Sequence, residues 1–190
     1  MRIDLPQRIP YPTGSEGQTG VYGALTNGQR LSYLVKPAVR AGIQALSSAL
    51  LREGVLAPSL REMIIVRVGY QTGSHYEVEQ HTSLGESLGV PRAKLEALAH
   101  VNPPGLSDAE RSVIAFVDAL LTEPDPGDDA VQGVRAHFSD GELMEMVFVT
   151  GNWWMLSRML ATARVPSDSR KIGEQGVAPL PTVKDSKEKS

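Results

Sequence analysis

Residues 62–81 contain four side chains of the types that proton-transfer chemistry requires. Ser74, Glu77 and His81 follow one another at helical spacing, so they lie on one face of a predicted helix. Glu62 belongs to the preceding predicted helix, which can pack alongside. Burial raises the pKa of a carboxyl group and lowers that of an imidazole, which brings both towards neutrality, while the pairing of the two groups opposes each shift; such groups are what acid–base chemistry needs. We call these four residues the acid–base cluster and treat them as the candidate catalytic residues.

The glutamates of this cluster also have an interpretation that involves no chemistry. The serine–glutamate spacing of a helix capping box occurs four times, as Ser59/Glu62, Ser74/Glu77, Ser107/Glu110 and Ser139/Glu142. Because the last two pairs have no other candidate role, the spacing alone favours capping for all four. His81 can equally be a core histidine that Glu77 holds in place.

Four further residues are candidates for substrate binding, and each has a structural alternative. Arg67 interrupts an apolar helix and would be costly to bury unpaired. It therefore either pairs with a glutamate of the cluster, which we favour, or binds an anionic substrate, and Arg158 has the same ambiguity. Trp153 can wall a ligand pocket or pack in the core or an interface. Tyr76 can donate a phenolic proton, although packing is the more common role.

The elements that position these residues are predicted to be helices only. Apolar residues at helical spacing predict six to seven helices, over residues 38–51, 59–71, 75–88, 91–99, 107–122, 129–137 and 141–164. The second of them is apolar almost all round, which is typical of a central, buried helix. No stretch alternates at period two, so we expect an all-α fold. We predict an irregular arm at 1–30, one helical domain at 31–164 and a flexible tail at 165–190.

Composition excludes several classes of function. The 190 residues include no cysteine, which rules out disulfides, thiolate nucleophiles, zinc–thiolate sites and peroxidatic thiols. A net charge of -3 gives no reason to expect nucleic acid as a partner. No apolar run approaches the roughly 20 residues of a membrane span, and no signal peptide is apparent, so we expect a cytoplasmic protein. His75 and His81 do not share a helical face, and we predict neither a metal nor another cofactor.

The stretch around the acid–base cluster resembles the signature of the carboxymuconolactone decarboxylase and alkylhydroperoxidase D-like family. Peroxidase members of that family carry a Glu, then two Cys separated by two residues, then a His four residues further on. Glu62 falls at the position of that Glu, Ser74 and Glu77 at the two Cys, and His81 at the His. Many members read Cys-x-Tyr-Glu here, and Ser74-His75-Tyr76-Glu77 is that pattern with its cysteine replaced. The resemblance runs from about residue 31 to residue 163.

The resemblance implies a function once the missing cysteines are taken into account. A cysteine at a helix start is acidified by the helix dipole, whereas a serine is not and is expected to cap the helix with its hydroxyl. Disulfide-relay peroxidase activity is therefore lost, while the decarboxylase branch of the family uses acid–base groups. We expect a cofactor-independent decarboxylase, or a related lyase or isomerase, that acts on a small organic acid, lactone or carbonyl compound. The rival is a non-catalytic binding or scaffold protein of the same fold.

Assembly into a homo-oligomer is the last expectation. The arm and the apolar helix over 59–71 leave more apolar surface than one small helical domain easily covers. Since the family resembled here forms trimers and hexamers of paired helical hairpins, we predict a trimer or a hexamer.

Overall fold

The predicted all-α fold is confirmed. The structure is a computed structural model that describes residues 6–12, 19–20 and 23–168. Within these residues it contains α1 (Asn27–Leu31), α2 (Pro37–Arg52), α3 (Pro58–Thr72), α4 (His75–Ser87), α5 (Arg92–Ala97), α6 (Asp108–Thr122), α7 (Asp128–Arg135) and α8 (Asp140–Ala163). A 3-10 helix, Ser32–Leu34, follows α1, and two strands of two residues each, Thr19–Gly20 and Gly23–Ala24, pair antiparallel. None of the helices in the described ranges has both the length and the apolar character that crossing a membrane requires.

Helix α3 forms the centre of the molecule, as its composition predicts. All residues from Leu60 to Gly69 are buried, and α3 packs against α4, α6 and α8. One face of α3 contributes Ile64, Ile65 and Val68 to the larger apolar core, which also contains Phe116 and Trp153. The opposite face contributes Met63 and Val66 to a smaller core with α5 and α6. A helix with apolar residues on opposite faces can pack against both cores only if it lies between them.

Gly69 allows α3 and α4 to approach each other closely, and Gly85 allows α4 to lie close to Leu95 of α5. A Cβ atom added at Gly69 would lie 2.9 Å from Val78 Cγ2 and 3.2 Å from the Val78 backbone nitrogen. A Cβ at Gly85 would lie 3.0 Å from Leu95 Cδ1 and 3.5 Å from Glu62 Cβ. The two helices therefore form an antiparallel pair in which the start of α3 faces the second half of α4. This pairing brings the separate parts of the acid–base cluster together.

The start of α1 and the last described residue, Asp168, meet beside α4. Asp168 Oδ1 accepts a hydrogen bond from the Asn27 backbone nitrogen at 2.8 Å, and its Oδ2 accepts one from Gln80 Nε2 at 3.3 Å. Helix α1 crosses the predicted boundary between the arm at 1–30 and the domain at 31–164. Residues 1–5, 13–18 and 21–22 of the predicted arm and 169–190 of the predicted tail lie outside the described residues, so the domain division stays a prediction.

The apolar surface of the protomer lies elsewhere than the sequence indicated. Helix α3 is buried inside the protomer and leaves no apolar surface for assembly, so that part of the oligomer argument is wrong. Exposed apolar side chains instead follow one face of α2, with Val39 and Leu46, and one face of α8, with Met144, Phe148 and Met155. We call these five residues the apolar face; they are among the exposed apolar side chains of the described residues and are candidates for contact between copies.

Candidate acid–base site

The structure brings Glu62, Glu77 and His81 together in the interior, around the imidazole ring. Glu62 Oε2 lies 2.7 Å from His81 Nδ1, and Glu77 Oε2 lies 3.2 Å from His81 Nε2. Their exposed fractions are 0% for Glu62, 4% for His81 and 5% for Glu77. The imidazole therefore lies between two buried carboxyl groups, one at each ring nitrogen. Because the two carboxylates flank different nitrogens, they do not converge on one ion, and no group of three or more such residues in the described ranges is arranged to hold a metal.

Neither cluster glutamate forms the capping box that its spacing predicts. Helix α3 begins at Pro58 with Ala57 as its N-cap, so Ser59 lies inside the first turn and cannot cap it. Ser74 is the N-cap of α4, but its side chain accepts no capping hydrogen bond, contrary to expectation. The pairs Ser107/Glu110 and Ser139/Glu142 do form complete boxes. Two of the four serine–glutamate pairs cap helices, and the two at the cluster do not.

Ser74 lies close to the cluster in the chain and is itself buried, with 5% of its surface exposed. It is located where the chain turns from α3 into α4, after Gly73, whose φ of 68° ends α3 in a left-handed conformation. The Ser74 backbone nitrogen donates to the Gly69 carbonyl at 2.9 Å, which fixes the turn. Ser74 precedes Glu77 by three positions, but it lies before the first residue of α4 and has non-helical dihedral angles.

Arg61 neutralises the innermost carboxylate, a role that the sequence analysis missed. Its Nε and Nη2 both lie 3.0 Å from Glu62 Oε1, and only 6% of the residue is exposed. Glu62 thus accepts from Arg61 on one oxygen and from His81 on the other. The guanidinium of Arg61 thus forms a buried ion pair with this carboxylate. The available signal was a second arginine in an otherwise apolar helix, directly beside the candidate glutamate.

The environment of His81 favours its protonated form. Burial by itself lowers the pKa of the imidazole, but the charge and hydrogen bond of Glu62, and then those of Glu77, outweigh burial and raise the pKa of His81 to about 9. The opposing contributions follow from the geometry, because a desolvated ring lies between two carboxyl groups. At neutral pH the ring therefore carries a proton that a substrate can receive.

Trp153, a candidate for substrate binding, is in direct contact with the ring of His81. Its indole Nε1 lies 2.9 Å from His81 Nε2, and the two rings meet edge to face with centroids 5.5 Å apart. Trp153 is 2% exposed, whereas the adjacent Trp154 is 43% exposed. Trp153 therefore packs in the core, which is one of the alternatives that the sequence left open, and it also contacts the ring of His81.

Arg67 does not belong to the site. Its Nε and Nη2 bind the two carboxylate oxygens of Asp118 at 2.7 and 2.6 Å, and its Nη1 donates to the carbonyls of Leu98 and His100. These contacts use four of the five N–H groups of a guanidinium. The favoured expectation of structural pairing is therefore correct in kind, but the partner is Asp118 and not a glutamate of the cluster.

Tyr76 and Arg158 are also engaged outside the cluster. The Tyr76 hydroxyl donates to Asp168 and accepts from the Gly28 backbone nitrogen, and burial, followed by the charge of Asp168, raises the pKa of the phenol above its ordinary range. Such a phenol is a poor proton donor to a substrate. Arg158 is exposed and stacks on the exposed Trp154, with its guanidinium carbon 5.3 Å from the ring centroid.

Two cavities occur on other parts of the molecule. One, of about 340 Å³, lies between α6 and α8 and is lined by Leu120, Leu121, Val147, Thr150, Gly151 and Trp154. The other, of about 320 Å³, lies near the Lys94–Glu110 ion pair. Neither of these two cavities is lined by a residue of the acid–base cluster.

Comparison with known proteins identifies the relatives of this architecture. Residues 37–119 match the model of the Carboxymuconolactone decarboxylase family, which confirms the resemblance of the motif. No curated protein matches the chain in sequence.

Solved structures share the fold. An uncharacterized peroxidase-related protein from Silicibacter sp. TM1040 superposes with a TM-score of 0.73 at 19% identity, over 92% of this chain and 94% of that one. A protein of unknown function from Agrobacterium tumefaciens, associated by name with the antioxidant defence protein AhpD, gives 0.66 at 22% identity, over 71% and 94%. The debrominase Bmp8, in complex with 2,3,4-tribromopyrrole, gives 0.67 at 17% identity, over 76% and 78%. At these identities the likeness shows the fold alone.

Proposed function

We propose that this chain, a cysteine-less member of the carboxymuconolactone decarboxylase family, is a cofactor-independent acid–base enzyme that acts on a small organic acid, lactone or carbonyl compound. The observation that carries the proposal is the buried imidazole of His81 between two carboxyl groups, Glu62 and Glu77, neither of which caps a helix. Burying ionisable groups away from a structural role is costly, and such groups concentrate at functional sites.

The residues have different roles in the proposed reaction. Glu62 is fully buried and bound to Arg61, so it orients the ring and stabilises its positive charge. In this proposal the substrate lies on the side of the ring where α4 carries Glu77, with Ser74 at the start of that helix. His81 and Glu77 exchange protons with the substrate, and Ser74 donates a hydrogen bond to one of its oxygens.

Decarboxylation is the reaction class that we favour. The bond between the substrate carbon and its carboxylate breaks, carbon dioxide leaves, and the electron pair stays on the substrate. The His81 imidazolium gives its proton to that carbon, and solvent returns a proton to the ring through Glu77. A general acid positioned in this way contributes roughly 10²-fold to 10⁴-fold in rate.

The size of the substrate is suggested by one protein of the same fold. The debrominase Bmp8 was solved in complex with 2,3,4-tribromopyrrole, which is a single five-membered ring. A lactone acid is of similar size. The present chain contains no cysteine, so any step that requires a thiol is unavailable to it.

A matched set of variants tests the proposal. Purified protein is mixed with a panel of carboxylated lactones and keto acids, and carbon dioxide release is followed against a blank without protein. Glu77→Gln keeps the shape of the side chain but removes the carboxylate, so it should lower the rate of the accepted substrate roughly 10²-fold or more. Glu142→Gln is the control, because that glutamate has the same serine spacing but forms a true capping box, which glutamine preserves.

The rival function is a non-catalytic binding or scaffold protein, and one observation favours it. The charges of the cluster are paired within the protein, and neither described cavity reaches the cluster. If the protein is a binding or scaffold protein, Glu77→Gln would change its stability, and no compound of the panel would be consumed faster than in the blank. Equal turnover by wild type and Glu77→Gln would also refute the catalytic role.

A further inference from the structure

One ring nitrogen of His81 is approached by two groups with opposite requirements. Trp153 Nε1 lies 2.9 Å and Glu77 Oε2 lies 3.2 Å from His81 Nε2. An indole N–H can only donate, so its hydrogen bond requires a lone pair on Nε2. An ionised carboxylate can only accept, so its hydrogen bond requires a proton on the same atom. Nε2 can satisfy one of these neighbours at a time.

The two arrangements differ by the position of one proton. In the first, His81 is neutral, its Nδ1–H donates to Glu62, Nε2 accepts from Trp153, and Glu77 holds the proton. In the second, the ring is an imidazolium that donates to both glutamates, and the indole N–H has lost its acceptor. With the positive charge of Arg61, both arrangements of the cluster are electrically neutral.

We infer that Trp153 is a positioning residue of the site. Its indole N–H stabilises the form of His81 that has a lone pair on Nε2, whereas the carboxylate of Glu77 stabilises the form that carries a proton on Nε2. When His81 has given its proton to a substrate, the lone pair left on Nε2 meets a donor that is already in place. Glu77 then returns a proton to the ring. The catalytic meaning of this inference rests on the proposed function, but the competition itself follows from the geometry.

Among the described residues, the charged groups paired with the ring of His81, and the partner of Glu62, belong to α3 and α4. Helix α3 supplies Arg61 and Glu62, and α4 supplies Glu77. Helix α8 contributes Trp153, which has no charge, so its effect on proton affinity comes from a hydrogen bond. Trp153 is also one of only two tryptophans, and the other, Trp154, is exposed on the same helix.

Nuclear magnetic resonance of the full chain tests the inference without a substrate. The imidazole nitrogens of His81 and the two indole N–H signals are followed from about pH 5 to pH 10, in wild type and in Trp153→Phe. Loss of one hydrogen bond to the neutral ring should raise the apparent pKa of His81 by about one unit, a tenfold change in proton affinity. Trp154→Phe is the control and should leave the midpoint unchanged, and the two variants together assign the indole signals.

The expected wild-type result is an indole signal of Trp153 that shifts with the same midpoint as the His81 ring. The inference is overturned if that signal is insensitive to the titration of His81, or if Trp153→Phe leaves the midpoint where it was. Should Trp153→Phe fail to fold, Glu77→Gln provides the opposite perturbation. This variant removes the carboxylate that stabilises the protonated ring, so the titration midpoint of His81 should fall by about one pH unit or more. An unchanged midpoint would equally overturn the inference.

The proposed enzyme function and the positioning role of Trp153 can be refuted independently of each other. Coupled titration of His81 and Trp153 without any accepted substrate would refute the proposed enzyme but leave the positioning role of Trp153 standing. Turnover that depends on Glu77, combined with an uncoupled indole signal, would refute the positioning role alone.

Discussion

The stability of this protein should fall as pH rises through the range in which His81 loses its proton. Glu62 and Glu77 hold the pKa of the buried ring at about 9, against 6.5 for an unperturbed imidazole. A group whose pKa is higher in the folded state stabilises that state below the unfolded pKa and loses this effect as pH rises through the folded pKa. Each pKa unit is worth about 1.4 kcal/mol, so the free energy of unfolding should decrease by about 3 kcal/mol between pH 6 and pH 9.5.

This decrease is measured by urea unfolding at both pH values, with protein concentration and ionic strength held constant. Other groups titrate in the same interval, so wild type is compared with His81→Gln, in which glutamine can still donate a hydrogen bond to Glu62. The difference in free energy of unfolding between wild type and His81→Gln isolates the contribution of the imidazole. This difference should fall by about 3 kcal/mol between pH 6 and pH 9.5. A difference that is the same at both pH values, or that grows as pH rises, would refute the description of His81 as a paired imidazolium.

Three further predictions concern redox activity, assembly and helix packing. The protein should reduce no hydroperoxide with dithiol donors, because it has no cysteine; turnover above a blank in metal-free buffer would contradict this. Light scattering should give a trimer or hexamer of the 20.5 kDa chain, and Phe148→Lys on the apolar face should reduce the mass, whereas Val101→Lys on a loop should not. Gly69→Ala should destabilise the fold by about 1–3 kcal/mol in urea unfolding, because the new methyl group would lie 2.9 Å from Val78. The control is Gly42→Ala on α2, where the methyl group would lie in open space, and it should be neutral or slightly stabilising.

The helices were predictable because their signals are local. Helix α6 runs from Asp108 to Thr122 with Ser107 as its N-cap, and both the apolar periodicity and the complete capping box appear in consecutive residues. The burial of α3 was predictable for the same reason, since a helix with apolar residues on every side has no face suited to water. Its start was less well predicted, because Pro58 takes the first helical position in place of Ser59.

The grouping of the cluster was predictable in part. His81 and Glu77 share a face of one helix, and that spacing alone brings them together. The contact between Glu62 and His81 requires the close approach of two helices, which depends on glycines that carry no local signal of their own. The spacing of a capping box also cannot tell a glutamate that caps a helix from one drawn to a buried imidazole.

Partners distant in the chain were not predictable. Arg67 lies on α3, and its carboxylate partner Asp118 lies 51 positions further on, in α6. No local pattern distinguishes Asp118 from the other acidic residues of the chain. The indole of Trp153 reaches His81 across 72 positions for the same reason, through the packing of α8 on α4.

The hydrogen bond between Asn27 and Asp168 closes the stretch from residue 27 to residue 168 almost into a ring. When two ends of a domain are adjacent, the order of its elements can be permuted without moving any of them. The exposed loop between α5 and α6, around residue 103, offers a place to open the ring. A permuted chain that starts there and joins residue 168 to residue 26 through a short linker would keep α1 to α8 whole. It would also reverse the order in which the two sides of the site are synthesised, with Trp153 made before the acid–base cluster.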